Sequence, residues 1–302
     1  MASFRSRVAG LVGVCLLALL GAGAGGANVT TPDVTAYTGL GSWIDIYSPS
    51  FRADPGRIAA GLEAHGVQTL FVETGNFRQR VDMVGRKQLG GLIEAAHARG
   101  IAVVAWYLPD FANPARDLRR ARAAINFRTP GSDRFDSFAL DIESSVVGNS
   151  AERSRRLLAL SARLRAVVGP DYPLGAIIPS PVGMKLLRRY WPRFPYAALV
   201  RTYDAVLPMA YFSHRARGRA AVTQYVKTSV RIIRDETGDA TVPIHLIGGI
   251  AGVISTGDAA TFVQTAESCD VEGLSLYDYR GTKSSVWPVL ARASFATSVA
   301  GC

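Results

Sequence analysis

Cysteine, histidine and lysine are the scarce residues of this 302-residue chain: three Cys, four His and four Lys stand against 30 Arg. No Cys-x-x-Cys pair occurs, so a structural zinc site is not indicated. His65, His97, His214 and His245 show no ligand-pair spacing, and neither a metal nor another cofactor is expected. His65 and His97 fall on expected helices and His245 on an expected strand, which suits packing roles. His214 falls in a loop, where it can touch a substrate. No Gly-x-Ser-x-Gly elbow is present, and no Gly-x-Gly-x-x-Gly turn follows the first expected strand. Those absences remove the common serine-hydrolase and dinucleotide-binding signatures. Basic residues do not interleave with aromatics, so no nucleic-acid partner is expected.

What is present begins with an address. Arg5 and Arg7 precede an apolar run from Val8 to Leu20, and small residues follow to Ala27. This is the pattern of a secretory signal peptide over residues 1–27. The run is too short to span a bilayer comfortably. Cys15 lies inside it, after Val14 rather than the small residue that lipoprotein signals use. The expected location is extracytoplasmic, either secreted or at the cell envelope. Removal of the leader leaves Cys269 and Cys302, which can form a disulfide in an exported chain. The sequence leaves that pairing open. The formal charge of +10 falls to about +8 without Arg5 and Arg7. A basic exported chain can rest on anionic cell-wall polymers. It is expected to act as a monomer.

A lead-in over residues 28–41 is followed by alternating strands and helices. Strands are expected at 43–47, 69–73, 101–107, 135–143, 174–178, 205–211, 244–250 and 273–277. Helices are expected at 55–65, 87–99, 114–127, 151–168, 181–190, 220–236, 258–268 and 287–298. Asp54-Pro55 and Asn113-Pro114 each pair an N-cap with a proline at the first helical position. Gly66 and Gly100 read as helix stops. Strand–helix alternation without a dividing linker implies parallel strands. Eight such units in one domain over 42–302 predict an α/β fold, a (β/α)8 TIM barrel.

The stretch Phe135–Glu143 carries the chemistry. Phe138, Leu140 and Ile142 share one face of the strand, and Ala139, Asp141 and Glu143 share the other. Acids two residues apart on one strand have Cα atoms roughly 6.6–7 Å apart, and each raises the pKa of the other. That suits one staying protonated beside an ionised neighbour. In a parallel barrel the strand C-termini ring the active site. Asp45, Glu73, Tyr107, Asp110, Tyr211, Tyr277 and Asp278 all fall at strand ends as well. Clustering acids in one cup costs electrostatic free energy, which points to a functional reason. Acids with aromatics suit sugars, because carboxylates move protons at a glycosidic bond and ring faces stack on pyranoses. The competing chemistry is a divalent cation held by Asp45, Glu73, Asp141 and Glu143.

Two motifs resemble a known family. Asp136-Ser-Phe-Ala-Leu-Asp141-Ile-Glu143 resembles the strand-4 signature of family 18 glycoside hydrolases, the chitinase class. Met209-Ala210-Tyr211 resembles that family's Met-x-Tyr on strand 6. Ala139, Phe212 and Tyr277 depart from the pattern, standing where an acid, an Asp and a Trp are usual. The resemblance implies a retaining hydrolase with Glu143 as general acid/base. It also implies that Asp141 orients the substrate's own 2-acetamido nucleophile and that Tyr211 hydrogen-bonds that group. Leu140-Asp141-Ile142-Glu143 with Trp43-Ile44-Asp45 also resembles family 25 lysozymes, whose substrate is peptidoglycan.

The expectation is therefore an exported glycoside hydrolase acting on a polysaccharide or cell-wall glycan. Glu143, Asp141 and Tyr211 are its expected catalytic residues. Asp45, Glu73, Tyr107, Asp110, Tyr277 and Asp278 are its expected substrate-binding residues. A carbohydrate-binding barrel without catalysis is the alternative.

Overall fold

A computed structural model describes residues 33–295 and residue 302. The expected signal peptide lies outside the described residues. Eight strands form the sheet: β1 (Gly39–Ile44), β2 (Thr69–Asn76), β3 (Ala102–Leu108), β4 (Ser137–Asp141), β5 (Leu174–Ile178), β6 (Ala205–Pro208), β7 (His245–Ile250) and β8 (Gly273–Tyr277). All neighbouring strands run parallel. The strand order runs from β6 through β1 to β8 and β7, and a parallel bridge between Val206 and Ile244 joins the two ends. The (β/α)8 barrel expected from the alternation is the fold.

The helices around the barrel are α1 (Pro55–Ala64), α2 (Arg86–His97), α3 (Pro114–Ile125), α4 (Ser150–Val168), α5 (Pro181–Leu186), α6 (Tyr196–Leu199), α7 (Arg219–Thr237), α8 (Thr256–Ser268) and α9 (Trp287–Leu290). Asp54 and Asn113 cap α1 and α3 as expected, accepting from the backbone N–H of Arg57 at 2.8 Å and of Arg116 at 3.0 Å.

Period-2 alternation sorts the strand side chains into two cores. Leu70, Val72, Phe138, Leu140 and Ile142 pack outward against the helices. Trp43, Phe71, Val104, Trp106, Ala139, Ile177, Leu207 and Ile247 fill the barrel. Tyr37 closes the lower end, its hydroxyl bonded to Ser137 Oγ. Above it the neutral His245 donates from Nδ1 to the Tyr37 carbonyl at 2.8 Å. Its Nε2 accepts from Ser275 at 3.0 Å. Burial pushes the His245 pKa down to about 4, so this histidine is a satisfied barrel residue.

Several boundaries differ from the sequence reading: β2 runs on to Asn76, β4 spans only Ser137–Asp141 and β6 stops at Pro208. β1 begins at Gly39, inside the expected lead-in, and stops before Asp45. Its glycines read as loop, yet a Cβ on Gly41 would lie 2.6 Å from Phe71 Cε2, so only glycine fits that packed interior. The helix expected over 181–190 stops at Leu186. The chain beyond is pulled onto α4: Arg153 Nη2 donates to the Tyr190 carbonyl at 2.5 Å, and Trp191 Nε1 donates to Ser154 at 2.9 Å. A separate α6 follows, so nine helices surround the barrel among the described residues, where eight were expected. The last helix stops at Leu290, and the end expected for it at 298 lies outside the described residues. Cys269 and Cys302 form a disulfide.

Candidate active site

The C-terminal mouth of the barrel holds a cavity of about 500 Å³. Asp45, Glu73, Asp141, Glu143, Tyr211 and Tyr277 line it, delivered by the ends of strands 1, 2, 4, 6 and 8. Six of the nine expected site residues therefore meet in one hollow.

Asp141 ends β4 with its side chain inside the barrel and is only 7 % exposed. Its Oδ1 is buried without a hydrogen-bond partner. Burial raises its pKa well above the carboxylate range, and the charges of Glu143 and Glu73 push it the same way. Glu143 lies just past the strand, exposed to the cavity and solvent, and partial desolvation raises its carboxyl too. The backbone around it is clamped. Tyr190 donates its hydroxyl to the Glu143 carbonyl, and Arg153 Nη1 donates to the Ser144 carbonyl at 3.2 Å. Arg153 is itself fully buried, with its guanidinium 4.0 Å from the Trp191 ring centroid.

Glu73 is 2 % exposed. It accepts from the backbone N–H of Ile46 at 3.2 Å and from Asn76 Nδ2 at 2.9 Å. Burial lifts its pKa to about 7, against those two hydrogen bonds and with some help from the charge of Asp45. Asp45 Oδ2 accepts from the Tyr277 hydroxyl at 2.6 Å, and its Oδ1 accepts from the N–H groups of Tyr47 and Ser48, both at 2.8 Å. Burial holds the Tyr211 hydroxyl protonated, with the fields of Asp141 and Glu143 reinforcing it.

Three expected site residues lie elsewhere. Tyr107 points outward, because Trp106 and Leu108 take the inward positions of β3; its hydroxyl donates to Asp117 Oδ1 at 2.8 Å. A continuous apolar run conceals which face is which. Asp110 pairs with Arg116 and accepts from the N–H of Ala112 at 2.9 Å, tying down the loop before α3. Asp278 accepts from the N–H of Gly281 at 2.9 Å, which makes it a turn residue. His214 is exposed beside Tyr211, with ring centroids 5.9 Å apart, and does not line the cavity.

The cavity also holds Met209 of the Met-x-Tyr motif, and residues that the sequence reading does not single out: Tyr47, Asn76, Phe77, Arg78, Trp106, Leu108 and Ile250. Asn76 lies three residues after Glu73, which strict alternation would put on the opposite face. A bulge between Glu73 and Gly75 shifts the register and brings both inside. Trp106 is 6 % exposed, and its indole N–H has no partner. It and Asp141 Oδ1 are buried polar atoms at the cavity with hydrogen-bonding capacity unused. The divalent-ion chemistry lacks a donor set: among the described residues no three His, Cys, Asp or Glu gather closely enough to hold a metal.

No protein-family model matches the sequence, and no curated protein matches it. Solved structures do share the architecture. An endo-β-1,4-mannanase from Thermotoga petrophila superposes with a TM-score of 0.66 at 11% identity, over 85% of this chain and 76% of that one. A chitinase from Bacteroides thetaiotaomicron gives 0.61 at 10% identity, over 85% and 96%. A family 18 N-acetylglucosaminidase from Paenibacillus barengoltzii gives 0.56 at 12% identity, over 85% and 100%. At these identities the likeness is one of fold: the chain has the TIM-barrel architecture of glycoside hydrolases, chitinases and mannanases among them. A shared barrel does not by itself assign a reaction.

Proposed function

We propose that this chain is an exported glycoside hydrolase that cleaves a polysaccharide or the glycan of peptidoglycan by acid/base catalysis. One observation carries the reading: four carboxylates and three tyrosines, at the ends of five strands, line a single cavity of about 500 Å³ at the barrel mouth. That volume lies within the roughly 300–1,000 Å³ of small-molecule sites.

Glu143 is the proton donor to the glycosidic oxygen. It reaches solvent, its carboxyl is biased toward the protonated form, and the Tyr190 and Arg153 contacts fix its backbone. Burial and the charges of Glu143 and Glu73 bias Asp141 toward its protonated form, and it offers its unpartnered oxygen to the sugar. Tyr211 supplies a second hydroxyl donor. Where the substrate carries a 2-acetamido group, these two hold it, and its amide oxygen attacks the anomeric carbon with net retention. Asp45 and Tyr277 form a fixed hydrogen-bonded pair on the opposite wall that binds sugar hydroxyls. Export is supported by the Cys269–Cys302 disulfide, which suits an oxidising compartment.

The test is incubation with a panel of chitin, mannan and peptidoglycan, followed by detection of new reducing ends. At least one polymer is expected to be cut, and Asp141→Asn should lower that rate by about 100-fold or more. Binding without any hydrolysis across the panel would instead make this a carbohydrate-binding barrel.

A further inference from the structure

Arg78 is the one cation among the residues lining the mouth cavity, which also holds Asp45, Glu73, Asp141 and Glu143. None of those four carboxylates is paired with it. On α3 and α4 the nearby arginines are committed: Arg116 to Asp110 and Asp117, Arg119 and Arg120 to Asp82, Arg156 to Glu152. Among the described residues Arg78 makes no ion pair. Its guanidinium carbon sits 5.2 Å from the Phe77 ring centroid, and Phe77 lines the same cavity.

The turn that carries Arg78 is built into the site. Its backbone N–H donates to Asn76 Oδ1 at 3.0 Å. Asn76 Nδ2 donates to Glu73 Oε1 and to the Tyr47 hydroxyl oxygen, both at 2.9 Å. Gln79 Nε2 donates to the same hydroxyl at 3.1 Å. Tyr47 is therefore a tethered ring that is still 60% exposed at the cavity edge. A restrained aromatic face offers contact area at little entropic cost.

The geometry points to an outer subsite for a sugar ring that bears a carboxylate, with Tyr47 against the ring and Arg78 forking onto the carboxylate. The inference rests on the reading of the cavity as a glycan site. It narrows the substrate class to acidic glycans, built from uronic acids or from lactyl-substituted amino sugars, over neutral glucans and mannans. An anionic group deep in the cup would face Glu143. At the rim it meets Arg78, the one cation among the described lining residues, and the planar guanidinium suits a carboxylate bidentately. The formal charge of about +8 left after loss of Arg5 and Arg7 favours encounter with a polyanion.

The experiment measures calorimetric binding of the Glu143→Gln protein, which leaves the bond intact, to matched polymer pairs. Peptidoglycan glycan strands, polygalacturonate and alginate are each used native and with their carboxyls reduced to alcohols. At least one native polymer should bind about tenfold tighter than its reduced form, as a charge-assisted bidentate contact implies. A further Arg78→Gln change should erase that preference and leave affinity for the reduced form unchanged. Arg78→Lys should restore part of it, and Tyr47→Ala should weaken both forms alike. Equal binding within every pair, a preference that survives Arg78→Gln, or no binding at all would overturn the inference. Hydrolysis without charge preference removes the acidic subsite alone. An Arg78-dependent preference in a protein that cuts nothing removes the hydrolase reading alone.

Discussion

Glu73→Gln is the substitution whose effect follows most directly from the site's electrostatics. Burial holds the Glu73 carboxyl at about 7 in the folded protein, against an ordinary 4.5. The folded state therefore binds this proton more tightly than the unfolded chain does. The stabilisation is fully present below about pH 4.5 and is lost as pH rises through about 7. At 1.36 kcal/mol per pKa unit, the shift amounts to about 3 kcal/mol between those limits. Glutamine at 73 stays neutral, so the difference between wild type and variant isolates this residue. The variant loses roughly 1 kcal/mol at every pH, because glutamine replaces one of the two acceptor oxygens, used by Ile46 and Asn76, with an NH2 that only donates. Beyond that offset, wild type should weaken relative to Glu73→Gln by about 3 kcal/mol between about pH 4.5 and pH 8. For a chain of this size that is a relative change of roughly 6–12 °C in melting temperature. Differential scanning calorimetry of both proteins across that range measures it. A difference in melting temperature that stays flat with pH would refute the account of a buried, half-protonated acid.

Three further outcomes follow from the packing. Cys269→Ser should cost about 3–4 kcal/mol, the loop-closure value for a bridge of this span, and reductant should destabilise the wild type equally in a thermal scan. Gly41→Ala should destabilise by about 1–3 kcal/mol in denaturant titration, because the new methyl would lie 2.6 Å from Phe71 Cε2 and 3.0 Å from the His245 ring. Trp106→Phe removes a buried N–H that has no partner, so melting should be unchanged or higher. Affinity for the bound glycan should still fall about fivefold, as loss of one hydrogen bond implies. A merely structural Trp106 would show destabilisation and no change in affinity.

Much of this architecture is legible in residue order because the signals are local. Capped helix starts at Asp54 and Asn113 and clean alternation along Phe138–Asp141 depend on near neighbours alone. The same alternation puts Asp141 on the inward face of β4. What alternation misses is what breaks it. The bulge after Glu73 reverses parity and hides Asn76 and the rim turn that carries Arg78. The apolar run of β3 has no polar face to mark inward from outward, so residue order does not show that Trp106 faces the barrel and Tyr107 faces away. The sequence hides the surroundings of Asp110 and Asp278 for another reason. A carboxylate near a strand end serves a turn or an arginine as readily as a cavity, and only the contacts with Arg116 and Gly281 distinguish them. The glycines of β1 depend on Phe71 and His245, which are distant in sequence.

The central claim is tested most directly by pairing hydrolysis with binding in the wild type and in Glu143→Gln. On whichever glycan the wild type cleaves, the variant should release reducing ends at least about 100-fold more slowly while binding that glycan within a few-fold of the wild-type affinity. A variant that hydrolyses at the wild-type rate would contradict the assignment of the proton donor to the end of the fourth strand, and with it the account of the site.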